Sequence, residues 1–114
     1  MDPPAVDLRP CDWEIVRNIL QKHVPQYTVW AFGSRARGKA KKFSDLDLAI
    51  LTDEPLPLAA LAALAEDFAD SDLPFKVDVV DWARTDEAFR KIIERDKVVV
   101  QRGRLYVEHI RARS

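Results

Sequence analysis

The chain has 114 residues, of which 47% are apolar and 32% charged, a profile that fits one folded domain and excludes a disordered tail. Its 18 basic and 19 acidic residues leave a net charge of −1, so the global charge calls for neither direct nucleic-acid binding nor a membrane surface. Cys11 is the single cysteine, which excludes an internal disulfide; no apolar run approaches the roughly 18 residues of a membrane span, and the first ten residues lack the basic-then-apolar pattern of a signal peptide, so a cytoplasmic protein is expected.

Residues 1–10 carry three prolines and read as an irregular arm. Asp12 is the expected N-cap of a first helix running to about Val24, with Ile15, Val16, Ile19 and Leu20 as its apolar stripe and Pro25 as its stop. Residues 27–32 (YTVWAF) are β-prone on both faces, the pattern of a buried strand. Gly33-Ser34 follows at once, then a short helical or looped basic stretch to Lys42. Residues 45–51 (DLDLAIL) predict a second strand, and residues 58–70 a second helix with Leu58, Leu61, Ala65 and Phe68 on one face. Glu66, Asp67, Asp70 and Asp72 collect near the end of that helix, against its dipole. Residues 76–81 (KVDVVD) predict a third strand, Thr85 caps a third helix to about Arg95, and residues 98–107 suggest two short β pieces around Arg102-Gly103, followed by a polar tail at 108–114. There is no repeat or linker, so residues 1–114 are expected to form a single α/β domain.

Three features converge on phosphate chemistry. The first is Gly33-Ser34 directly after a buried strand: glycine permits a sharp turn and a close ligand approach, and Ser34 with exposed backbone N–H groups can hold phosphate oxygens. The plain alternative is a strand-to-helix turn with Ser34 as N-cap. The second is Asp45-x-Asp47. A period of two puts both carboxylates on one face, where they repel unless a cation separates them; Mg²⁺, which takes a few carboxylates plus substrate phosphates, suits such a pair. The third is the basic run Arg35, Arg37, Lys39, Lys41 and Lys42, of which Arg35 and Lys42 are the candidate triphosphate contacts.

The spacing joins these features. Gly33-Ser34, ten residues, then Asp45-x-Asp47 is the G-S-x10-D-x-D signature of polymerase-β-like nucleotidyltransferases. One turn holds the triphosphate and the next strand holds two ions, which together position and neutralise a phosphoryl transfer. A third carboxylate is expected from a neighbouring strand. Parity selects Asp78 over Asp81: Asp78 lies inside the strand, whereas Asp81 lies at its end, where solvent or a helix terminus can satisfy it.

WAFGSRARGKAKKFSDLDLAI, continued by DLPFKVDVVDW, resembles the minimal nucleotidyltransferase (MNT) family, and in particular the small bacterial subunits encoded beside a helical HEPN-type partner. The resemblance implies a mixed sheet backed by helices. It implies phosphate binding by Gly33 and Ser34, and Mg²⁺ binding by Asp45, Asp47 and Asp78. It further implies a toxin–antitoxin pair in which this chain, the antitoxin, transfers AMP from ATP to a tyrosine of the HEPN toxin. Two alternatives stand beside that reading: a non-catalytic antitoxin that acts by binding, and an enzyme modifying a small molecule. Trp30 and Phe32 read as core aromatics rather than base-stacking platforms, and His23 and His109 receive no role.

Overall fold

The computed structural model describes residues 6–41 and 44–103. In chain order the elements are α1 (Pro10–His23), β1 (Val29–Phe32), β2 (Leu46–Ile50), α2 (Leu58–Ala69), β3 (Val77–Asp81), a 3₁₀ turn (Trp82–Arg84), α3 (Glu87–Asp96) and β4 (Val98–Gln101). The strands form one mixed sheet in the order β3-β2-β1-β4. β1 is antiparallel to both β2 and β4, and β2 is parallel to β3. This is the mixed, helix-backed sheet that the sequence leads one to expect.

Alternation along the strands sorts the two faces. Val29, Ala31, Leu46, Leu48 and Ile50 point to one face and join Trp13, Val16, Leu20, Leu64 and Phe68 of α1 and α2. Trp30, Phe32 and Ala49 point to the other face and meet Ile93 of α3, with Val80, Trp82 and Phe89 alongside. Asp47 shares the parity of Ala49, and Asp78 that of Val80, so both carboxylates belong to the face that carries α3.

Several expectations shift by a turn or a face. α1 begins at Pro10, whose fixed φ suits a first helical position. Asp12 is not its cap but lies within the first turn, buried, held by the Arg9 guanidinium at 2.9 and 3.0 Å. In α2, Leu64 and Phe68 form the buried stripe with Leu61 packed beside them, while Leu58 is 73% exposed and Ala65 is also exposed. The chain enters α2 through Pro57, with Leu56 buried just before it. Asp86, not Thr85, caps α3 by accepting from the Phe89 N–H at 2.7 Å; the Thr85 hydroxyl instead donates to the Trp82 carbonyl. Residues 34–38 form turns, the looped one of the two expected forms. β4 pairs with β1, and the second β piece and polar tail lie outside the described residues.

One acid at the end of α2 has a partner across the helix pair. Asp67 accepts from Lys22 at 3.4 Å and lies 2.8 Å from His23 Nε2, both in the last turn of α1. The hydrogen bond to His23, followed by the charge of Lys22, outweighs desolvation and holds the Asp67 carboxyl below its usual range. His23, given no role from sequence, thus docks α1 on α2. Among the described residues no helix is long and apolar enough to cross a membrane.

Candidate active site

The site is built around a glycine that cannot be replaced without moving a carboxylate. β1 ends at Phe32, the register partner of Asp47. The chain then turns at Gly33 with φ +78°, a left-handed conformation that glycine adopts without strain. A Cβ placed there would run into the Asp47 carboxylate. The Arg37 N–H donates to the Gly33 carbonyl at 3.1 Å and the Lys39 N–H to the Ser34 carbonyl at 2.9 Å, closing the turn on itself. No helix starts at Ser34, so its hydroxyl is not an N-cap.

β2 and β3 bring the acids together. Asp47 and Asp78 are register partners on adjacent parallel strands. Asp45 lies two residues before Asp47, just ahead of β2, and is exposed. Asp47 is half-buried. Desolvation first, then the neighbouring charges of Asp78 and Asp45, push its carboxyl up to about 6. Lys76, with Nζ 3.7 Å from Asp78 Oδ1, stands at the outer side of the pair. Among the described residues no three His, Cys, Asp or Glu side chains close into a ready-made metal cage. The donor set nevertheless fits a hard divalent ion. Two carboxylates in register on adjacent strands, one of them half-buried, with Asp45 two residues before it, match an ion that takes one or two carboxylates and completes its shell with water and phosphate.

Asp81 is settled otherwise. It is buried at 2% exposure, and its carboxylate accepts from the Thr52 hydroxyl, the Leu56 N–H at 2.6 Å, the Ala83 N–H at 3.2 Å and the Arg84 guanidinium at 2.7 Å. As expected, a helix end satisfies it, since Asp81 caps the 3₁₀ turn at Trp82–Arg84, and the loop after β2 adds the Thr52 hydroxyl and the Leu56 N–H. Its carboxylate is committed to the fold, whereas Asp78 is the register partner of Asp47.

Arg35 differs from its expected place. It is 6% exposed, and it donates to the Ser44 carbonyl at 2.8 Å and the Asp7 carbonyl at 2.7 Å. Its guanidinium also stacks 3.9 Å from the centre of the Phe75 ring. These contacts draw the side chain into a staple between the N-terminal arm, the loop before β2 and the segment before β3. Lys42 lies outside the described residues. Trp30 and Phe32 are core aromatics, as expected, meeting Trp82 and Phe89 edge-on at 5.5 and 5.7 Å.

One residue of the site escaped the sequence. Asp96, the last residue of α3, has a side chain only 6% exposed. The Arg95 guanidinium grips it at 2.9 and 3.2 Å, and Arg37 Nε lies 3.8 Å away. Hydrogen bonding to Arg95 is the leading reason that its carboxyl titrates below the usual range. The available signal was an acid at a helix C-terminus, where the dipole disfavours it.

The polymerase beta, nucleotidyltransferase family pattern matches residues 14–104. The chain belongs to this family. Its members are nucleotidyltransferases that use a divalent metal. A "Probable protein adenylyltransferase MntA" from Haemophilus influenzae (strain ATCC 51907 / DSM 11121 / KW20 / Rd) is 54% identical over 103 residues, covering 90% of each chain. Two solved structures share the nucleotidyltransferase fold. One is a toxin–antitoxin with AMP-PNP, with a TM-score of 0.68 and 23% identity over 88% of this chain and 85% of that one. The other is a tri-AMPylated Shewanella oneidensis HEPN toxin in complex with an MNT antitoxin, with a TM-score of 0.65 and 20% identity over 90% and 79%.

Proposed function

We propose that this nucleotidyltransferase is the antitoxin of a two-component pair. It transfers AMP from ATP, with two Mg²⁺ ions, to a tyrosine hydroxyl of a HEPN-type helical toxin in the cytoplasm. The observation that carries the reading is the in-register facing of Asp47 and Asp78 beside the Gly33 turn. The adenylyltransferase name of the 54%-identical relative supports the choice of AMP and of a protein acceptor. The titles of the fold relatives, an antitoxin with AMP-PNP and an AMPylated HEPN toxin, point the same way.

In this reading the Gly33-Ser34 turn holds the triphosphate, with the Ser34 hydroxyl and the N–H groups of the turn as donors. Asp45, Asp47 and Asp78 hold the ions, which supply neutralisation of charge on the phosphates. Asp78 is on the strand at the sheet edge, with a side chain 44% exposed. An acceptor hydroxyl can approach there and lose its proton as it attacks the α-phosphorus in line; pyrophosphate leaves. Arg35 acts from behind, fixing the loop rather than touching phosphate.

ATP labelled at the α-phosphate tests this directly. With Mg²⁺ and the helical partner, the α label moves onto the partner and a γ label does not. Partner silencing with neither label transferred would leave the binding-only antitoxin as the correct reading.

A further inference from the structure

The sheet has an open edge at the strand that carries Asp78. β3 is the outer strand in the order β3-β2-β1-β4, and among the described residues nothing pairs with its far side. The Leu46 N–H donates to the Lys76 carbonyl at 2.9 Å. In the alternation of a parallel pair, that bond turns the N–H and C=O groups of Asp78 and Val80 towards β2, and those of Val77 and Val79 outward. Side chains alternate along the same strand. Val77 and Val79 lie on the α2 face, where with Ala65, Phe68, Ala69 and Leu73 they line a groove of about 570 Å³. Asp78 lies on the opposite face with Asp47. Glu66, Asp70 and Asp72 are exposed, each next in sequence to a residue that lines the groove, and among the described residues none of them is in an ion pair. Acids at this end of α2 oppose its dipole, so a basic partner set against them would be stabilising. Lys76, the base at the groove, is engaged by Asp78 at 3.7 Å.

We propose that the outer edge of β3 is the docking site for the acceptor. An extended segment of the partner protein adds to the sheet outside β3, with its tyrosine opposite Asp78, an apolar residue on each side of that tyrosine in the groove, and basic residues against the acids of α2. The proposal rests on the nucleotidyl-transfer reading and names how that site holds its protein substrate. The period of two does the sorting. A tyrosine opposite Asp78 has its Cβ about 5 Å from that of Asp78, on the face shared with Asp47, and its two neighbours then point to the groove side. The outward N–H and C=O groups of Val77 and Val79 hold any extended main chain, while the groove and the acids select the sequence. A second copy of this chain suits the edge poorly, because pairing β3 with β3 brings two Asp78 carboxylates and two acidic helix ends to one seam.

Hydrogen exchange of the full chain, free and with the HEPN-type partner bound, reads this edge residue by residue. The Val77 and Val79 amides slow by about tenfold or more in the complex, while the Asp78 and Val80 amides, held by β2 in both states, stay within about twofold. Two variants test the groove and its rim. Asp70→Lys combined with Asp72→Lys raises KM for the partner about tenfold, and Ala69→Trp, which fills the groove from an exposed position, does the same. Both keep the fold and an AMP-PNP affinity within about twofold of wild type, because all three positions are exposed and remote in sequence from the Gly33 turn. Unchanged exchange at Val77 and Val79 in the complex overturns the proposal, and so does transfer at wild-type KM by both variants. Protection of those amides in the chain alone also overturns it: protection that grows with protein concentration assigns the edge to a second copy, and protection lost on removal of residues 104–114 assigns it to the chain's own C-terminus. Val77 and Val79 protected by the partner with no AMP transferred would sink the nucleotidyl-transfer reading and leave the docking surface standing.

Discussion

Gly33 and Asp47 occupy one another's space: the position a side chain would take on Gly33 is filled by the Asp47 carboxylate. The turn that follows β1 and the acid in β2 are therefore a single packed unit. It is built from a left-handed glycine and the strand partner of the residue before it. A triphosphate held by the turn would lie beside the Asp47 carboxylate.

Gly33→Ala should cost about 1–3 kcal/mol of folding stability, from left-handed backbone strain and from displacement of Asp47. It should also lower nucleotide affinity. Denaturant midpoints alongside calorimetry with AMP-PNP and Mg²⁺ check both; a midpoint equal to wild type would show that the turn is not packed as described.

Asp47 should make the metal-free protein less stable as pH rises. Its folded carboxyl titrates at about 6 against an ordinary value of 3.8. Between those values the folded state binds more proton than the unfolded chain, so stability falls as pH climbs through this window and the loss is complete above it. Asp47→Asn should remove the slope and raise stability at pH 7 by about 1 kcal/mol, a shift of some two units discounted for solvent screening. Chelator-treated samples followed from pH 4 to 7.5 give the comparison. Asp12, Asp67 and Asp96, held below their usual range, contribute the opposite slope, so the difference between variant and wild type is the readout.

The two strand acids of β3 should separate cleanly. Asp78→Asn should abolish transfer and leave the denaturation midpoint within about 0.5 kcal/mol, the usual range for a surface position. Asp81→Ala should cost about 3 kcal/mol by orphaning two backbone N–H groups, the Thr52 hydroxyl and Arg84. Its folded fraction should keep its specific activity. Equal loss of activity in both would place both carboxylates in the metal site.

Arg35→Ala should destabilise by about 2–4 kcal/mol, from the loss of two charge-assisted hydrogen bonds and a buried stack on Phe75. Arg35→Lys should rescue little of it, because an ammonium has neither the fork nor the plane. Nucleotide affinity of the folded Arg35→Lys protein should stay within about threefold of wild type. A hundredfold loss would return Arg35 to the triphosphate.

The readable part of this molecule is the part whose meaning is local. Residues 29–32, 46–50 and 77–81 announce themselves as strands through runs of apolar and β-branched residues. The parity that selects Asp78 needs only the strand it sits on. The turn at Gly33 is legible because glycine after a buried strand has few other uses. What escaped depends on contacts distant in sequence. The guanidinium of Arg35 looks the same in the sequence whether it meets phosphate or the carbonyls of Asp7 and Ser44. Asp96 acquires its place from the pairing of β4 with β1, a register that no local pattern encodes. His23 and Asp67 find each other only once α1 and α2 pack. The helical face of α2 was misread at Leu58 and Ala65, both of which fit the 3.6-residue period and are exposed, while Leu64 is buried.

The central claim is that Asp47 and Asp78 drive covalent transfer to the partner. The most direct measurement is the intact mass of the HEPN-type partner after co-expression with wild type and with Asp47→Asn. A gain of one or more AMP units is expected with wild type and none with the variant, while the two proteins still associate. A partner silenced equally by both, with no gain in mass, would contradict it.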